Sequence, residues 1–214
     1  MWCTEAPVLT VGKDAGEVER RLVEDGLACP GCLGRLRPWG HGRARVVRDD
    51  GQVRWRLRPR RARCAGCGVT HVLLPVGVLE RRADTVGVIG AALARAAAGW
   101  GHRRVAERLG RPAATVRGWL RRFQTRAGPL REAFTALLCA LDPDPVLPAP
   151  AGTTVADAVA AIVAAAGAVT RRWAVLTGFI GLTVSPWLVA AAVTAGRLLA
   201  SRSTVELTNT TRPW

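Results

Sequence analysis

Two Cys-x-x-Cys motifs, Cys29-Pro30-Gly31-Cys32 and Cys64-Ala65-Gly66-Cys67, constrain this chain more than anything else in it. In each knuckle the two intervening residues let both sulfurs turn toward one point, and small residues there relieve crowding of the backbone amides around the thiolates. Two such knuckles supply a closed tetrahedral set with no position left open for chemistry, so Cys29, Cys32, Cys64 and Cys67 are expected to hold a structural Zn2+. The start Met1-Trp2-Cys3-Thr4-Glu5 lacks the basic and apolar pattern of a secretory signal. A cytoplasmic location follows as an expectation, and there paired cysteines read as metal ligands before disulfides. His71, four residues past Cys67, is a ligand type at workable spacing, but a complete thiolate set makes it a structural residue, as is His41. Cys3 and Cys139 have no partner at ligand spacing.

Between the knuckles, Arg45 to Leu57 reads as two strand-forming runs joined at Asp50-Gly51, a hairpin turn. Alternation along the second run sets Arg54, Arg56 and Arg58 against Trp55 and Leu57, a basic face backed by an apolar one. Upstream, Asp14 and Glu17 have capping-box spacing, and Val18, Leu22 and Val23 give a short helix one apolar side until Gly26. The expected first unit, residues 1–80, is therefore a helix and a zinc ribbon.

The second unit, residues 81–141, carries a helix-turn-helix pattern. Asp84 and Thr85 can cap a first helix with Val86, Ile89 and Leu93 at helical spacing, ending near Gly99 to Gly101. Next come a small residue for a helix crossing (Ala106), a glycine for the tight turn (Gly110) and Pro112 for the start of a new helix. Val105, Leu109, Val116, Trp119 and Leu120 hold the two helices together. Ala113, Ala114, Thr115, Arg117, Arg121 and Arg122 then remain on the outward side of the second helix. In such a motif that helix enters the major groove of double-stranded DNA, with Arg117 suited to guanine and Thr115 or Ala114 to a thymine methyl. Arg103, Arg104 and Arg122 suit phosphates, and Arg54 and Arg56 offer a basic strand beside them.

The net charge of +15 agrees with a polyanionic partner, although Lys13 is the only lysine and the arginine and alanine excess is what GC-rich coding produces unselected. Placement carries more weight than number, since the arginines crowd from Arg35 to Arg63 and from Arg103 to Arg126. Helix is expected to continue from Arg126 to Ala140 on Leu130, Phe134, Leu137 and Leu138. A Pro-rich linker, 142–152, and an apolar helical tail, 153–214, complete the chain. Within that tail Val155 to Val169 reads as an alanine-rich packing helix. The uncharged run Trp173 to Gly196 is long enough to span a bilayer, but Gly178, Gly181, Ser185, Pro186 and its threonines favour a buried or oligomerising segment over a membrane. The fold class is thus α+β: a small zinc ribbon, a three-helix helix-turn-helix unit and an Ala-rich helical tail.

The string Cys29-Pro30-Gly31-Cys32, Arg37-Pro38-Trp39-Gly40-His41 and Arg60 through Pro75 resembles an uncharacterised bacterial family in which a zinc ribbon precedes a helix-turn-helix. More loosely, it is similar to the DNA-binding head of insertion-sequence transposases. The resemblance covers about the first 125 residues and reaches the tail weakly through Ser185-Pro186-Trp187 and Gly196-Arg197-Leu198-Leu199. It implies DNA recognition, with transposon ends among the targets, and carries the four cysteines over as zinc ligands. A transposase also needs three carboxylates on a nuclease core. Beyond the helix-turn-helix this chain has only Glu132, Asp142, Asp144, Asp157 and Glu206, two of them in the proline linker, so it is not expected to be an enzyme. The expected protein is a sequence-specific DNA-binding factor of a mobile element or a transcription regulator, acting at the nucleoid as a homodimer or beside a transposase. The alternatives are a transposase component completed by another chain and a membrane-attached DNA-binding protein.

Overall fold

A computed structural model describes residues 7–24, 26–51, 53–177 and 184–200. The first half is a four-stranded sheet in the order β1-β6-β5-β2, built from β1 (Val8–Val11), β2 (Leu36–His41), β5 (Arg60–Cys64) and β6 (Thr70–Pro75). β1 runs parallel to β6, and the other pairs are antiparallel. Helix α1 (Ala15–Val23) covers one face of this sheet. Its N-cap Asp14 accepts from the Gly16 and Glu17 amides, as its position before the apolar run predicts. Val18 and Leu22 are buried against Leu36, Ala62, Cys64 and Leu73, whereas Val23, expected on the same side, is 73% exposed.

The expected hairpin forms as β3 (Arg45–Arg48) and β4 (Arg54–Leu57), a separate two-stranded sheet with Val47 paired to Trp55 and Arg48 to Arg54. Because strand side chains alternate, Val47 and Leu57 point to one face, where they pack with Val8, Leu74 and Val78. Trp55 lies on that same face but beyond this small core, and 38% of its surface stays exposed. The apolar backing of the hairpin is therefore Val47 and Leu57 rather than Trp55.

Six further helices complete the described chain: α2 (Val86–Ala97), α3 (His102–Leu109), α4 (Ala113–Gln124), α5 (Ala127–Leu141), α6 (Thr154–Thr177) and α7 (Pro186–Val193). Thr85 caps α2 through its hydroxyl, which accepts from the Val88 amide. α4 does not run into α5: the chain turns at Thr125 and Arg126, where Arg126 is buried and donates to the Arg197 carbonyl. α2 through α7 share one hydrophobic core, in which Ile89, Leu93, Phe123, Phe134 and Ile162 are sealed from solvent.

The apolar run 173–196 is not one helix. Its first residues finish α6, 178–183 lie outside the described residues, and Ser185 and Pro186 start the separate eight-residue α7. By length and composition α6, over Thr154–Ala174, is able to cross a bilayer, and 44% of that stretch is buried inside the protein, chiefly through Ala158, Ile162, Ala165 and Ala166. α7 packs on the core partly through Trp187, which lies so close over Gly90 of α2 that a Cβ there would come within 2.1 Å of two indole carbons. Gly90→Ala is expected to lower stability by about 1–3 kcal/mol through overpacking, read as a drop in denaturant midpoint, and to be eased when Trp187 is shortened to Leu.

Candidate metal centre and nucleic-acid interface

Local backbone turns build the cysteine cluster. The Cys29 amide donates to the Gly34 carbonyl at 2.8 Å, and the Leu33 amide returns to the Cys29 carbonyl at 2.9 Å, with Leu33 in a left-handed conformation. In the second knuckle the Gly68 amide donates to the Cys64 carbonyl at 3.1 Å, and the Cys64 amide to the Val69 carbonyl at 2.9 Å. The Ala65 amide, donating to the Arg35 carbonyl at 2.9 Å, ties one knuckle to the other. Gly34 lies tightly between them: a Cβ would meet the Cys64 sulfur at 3.0 Å and the Cys32 sulfur at 3.2 Å, so a side chain there would have to push the sulfurs aside.

The four sulfurs all lie within 4.8 Å of one another, with Cys32 3.4 Å from Cys64 and Cys29 3.8 Å from Cys67. Four thiolates about 2.3 Å from one zinc stand roughly 3.8 Å apart, so the set fits a tetrahedral metal. Its protonation is that of crowded sulfurs. The Cys67 amide, donating to Cys64 Sγ, leads the interactions that pull that thiol down to about 6. Cys67 is pulled down by the Val69 amide, but the sulfurs of Cys32, Cys64 and Cys29 outweigh it and push the thiol up to about 11. Cys29, Cys32, Cys64 and Cys67 would hold a divalent cation as four thiolates, which would offset that mutual repulsion.

Cys29 and Cys64 are buried members of the core under α1, whereas Cys32 and Cys67 are exposed, so the centre joins the core to the surface. His71 is buried beside it on β6, with Nε2 3.4 Å from Cys29 Sγ, and burial lowers its pKa toward the neutral imidazole. His41 is exposed at the end of β2, and Cys139 is exposed on α5, remote in sequence from the cluster. Cys3 and Glu206 lie outside the described residues. Among the described residues these cysteines are the single group of three or more His, Cys, Asp or Glu side chains whose donor atoms converge. Asp142 and Asp157 are instead engaged by Arg171 and Arg131.

In the helical half, α3 ends at Gly110, whose left-handed conformation (φ +60°) the turn requires. Pro112 is the N-cap of α4, one residue ahead of its expected place inside the helix. Val105, Ala106 and Leu109 of α3 meet Val116, Trp119 and Phe123 of α4 in the core, while Leu120 is half-buried; Phe123 carries more of this packing than the sequence pattern assigned to it. Ala113, Ala114, Arg117 and Arg121 are exposed along α4, and Thr115 and Arg122 are half-buried. Arg122 folds back so that Nη1 donates to the Gly118 carbonyl at 3.1 Å. Arg103 and Arg104 are exposed on α3, with the Arg104 guanidinium 3.9 Å over the Trp100 ring. On β4, Arg54 and Arg56 are exposed on the face turned away from Val47 and Leu57.

A buried ion network joins the hairpin to the helix-turn-helix. Asp84, expected only as a cap, is 2% exposed; its carboxylate accepts from Arg48 at 2.6 Å and from Arg111 at 2.6 Å. Arg111 also donates to the Asp49 carbonyl at 2.6 Å, and the Thr85 hydroxyl donates to the Asp49 carboxylate at 2.8 Å. The tip of the ribbon hairpin is thereby fixed against Arg111, in the turn between α3 and α4. A pairing of Arg48, Asp84 and Arg111 leaves no trace in local sequence, because the partners lie far apart along the chain.

Residues 87–131 match the homeodomain-like domain family, a non-catalytic DNA-binding domain. The match runs from α2 to the start of α5, and so assigns that segment rather than the whole chain. No curated protein and no solved structure matches the chain. The chain therefore combines a helix-turn-helix segment of homeodomain-like type with a four-cysteine cluster able to hold a metal ion, in an α+β fold.

Proposed function

We propose that this protein is a zinc-stabilised, sequence-specific DNA-binding protein that serves as an accessory or regulatory factor rather than a nuclease. The observation that carries the reading is the exposed row Ala113, Ala114, Arg117 and Arg121 on α4, the second helix of the helix-turn-helix within the homeodomain-like segment. Placed in the major groove, Arg117 reads guanine through a bidentate pair, and Ala114 and Thr115 meet thymine methyls. Arg103, Arg104, Arg121 and Arg122 lie on phosphates to either side, and Arg54 and Arg56 extend the positive surface onto the ribbon. Zinc is the proposed metal because four thiolates in two knuckles are its preferred closed set. The similarity to transposase heads supports a role at the ends of a mobile element or at an operator, in the cytoplasm at the nucleoid, with a homodimer or a transposase as partner.

Arg117→Ala is expected to cost about 1–3 kcal/mol on the preferred site and to relax specificity at one base pair. Arg104→Ala should weaken all sequences alike and reduce the salt slope by about 1. Anisotropy titrations of both variants on preferred and scrambled duplexes check this, and unchanged binding by both rejects the assigned contacts.

A further inference from the structure

Among the described residues, apolar clusters cover one face of the ribbon's sheet and half of the other. α1 packs on the face that holds Leu36, Ala62, Cys64 and Leu73. On the opposite face the β3–β4 hairpin covers the β1–β6 half through Val8 and Leu74. Among the described residues no apolar cluster covers the β5–β2 half of that face. That half carries Arg37, Trp39, Arg61 and Arg63, of which Arg37 and Arg63 are exposed and Trp39 is 50% exposed.

The charge on this half is uncompensated. Arg37 stands directly across from Arg63 in the β2–β5 pairing, an arrangement that like charges make unfavourable. β2, β5 and β6 contain no acidic residue, and among the described residues Arg37 and Arg61 have no ion-pair partner. Arg63 is held in place from two sides: its guanidinium lies 4.8 Å from the Trp39 ring centroid, and its Nε donates to the Gly68 carbonyl at 3.1 Å. A cluster of arginines with no acidic partner among the described residues, one of them held in place on a sheet whose cysteines are able to hold a metal, is complementary to a regular polyanion.

We propose that Arg37, Trp39, Arg61 and Arg63 form a second nucleic-acid contact surface, which takes the phosphate backbone of the same DNA duplex whose groove α4 enters. This rests on the DNA-binding reading above. The buried Asp84 network gives it mechanical sense, because it fixes the ribbon to the helix-turn-helix and lets both surfaces engage one duplex at a set separation. Phosphate contacts of this kind raise affinity and set register without reading sequence.

The test uses the full-length, zinc-loaded protein carrying Arg37→Ala and Arg61→Ala, residues outside the knuckles and the core, with a triple variant that adds Arg63→Ala. Zinc content and circular dichroism establish that each is folded. Titration against the preferred duplex across salt should give a slope of log K on log salt reduced by about 2 for the double variant and by about 3 for the triple. Affinity at moderate salt should fall about tenfold or more, with the preferred sequence unchanged. Wild-type slope and affinity in the double variant, while Arg117→Ala still alters sequence preference, would overturn this surface and leave the helix-turn-helix reading intact. A loss confined to single-stranded RNA, with duplex binding untouched, overturns it equally. Failure of the wild-type protein to bind any duplex removes both.

Discussion

Replacing Cys29 and Cys64 by serine is expected to abolish metal binding and unfold the ribbon while the helical core stays folded. Structural zinc in small cysteine sites contributes apparent binding free energies of about 10–16 kcal/mol at neutral pH, and that energy is folding energy because no site pre-exists in the unfolded chain. Here the dependence is direct. Cys29 and Cys64 are themselves buried members of the cluster formed by Val18, Leu22, Leu36, Ala62 and Leu73. Without metal, four sulfurs within 4.8 Å of one another must be kept apart or protonated at the edge of that small core. The helices draw on a different cluster, centred on Ile89, Leu93, Phe123 and Phe134, which contains no cysteine. Metal analysis should therefore find one zinc per wild-type chain and none in the double variant. Hydrogen exchange should then show amides of β2, β5 and β6 losing protection while those of α2 through α6 retain it. An unaltered melting profile contradicts the assignment.

The second large effect is expected at Asp84. Removing one partner of a buried ion pair leaves a charge unneutralised and costs about 3–5 kcal/mol. In Asp84→Ala the stranded group is Arg111, whose side chain is 7% exposed, whereas Arg48, at 33%, has room to turn toward water. Arg111 would keep its bond to the Asp49 carbonyl but lose its counter-charge. Denaturation of the zinc-loaded variant should show this loss as a lower midpoint. Replacing Asp84 and Arg111 together by Leu and Met should recover most of it, because an apolar pair of similar volume in place of a buried ion pair is often neutral or stabilising. A double variant no better than the single one would show that the network acts through its hydrogen bonds to Asp49 rather than through charge neutralisation.

What the sequence made legible was local. The knuckles, the Asp14 and Thr85 caps, the Asp50-Gly51 hairpin and the Gly110 turn each declare themselves within a few residues, and each lies where its chemistry placed it. What escaped was non-local. β1 is four residues long and pairs with β6, some sixty residues away, so the larger sheet, with β1 parallel to β6, had no signal in any window. Asp84 looked like a cap because its charge partners are Arg48 and Arg111, distant in both directions. Periodicity alone places Val23 and Trp55 inward, but in a unit this small the core ends before it reaches them. Hydropathy reads 173–196 as one run, whereas its described residues belong to the end of α6 and to α7, with Val189 to Ala191 buried in the shared core.

The central claim is recognition of a DNA sequence by α4. It is tested most directly by selecting sites from a random duplex library with the full-length, zinc-loaded protein at near-physiological salt, in parallel with Arg117→Ala. Enrichment of one motif containing a guanine, lost or broadened at that position in the variant, is the predicted result, and a palindromic motif would add that a homodimer binds. Tight, salt-sensitive binding with no enriched motif, or identical motifs from both proteins, would contradict it.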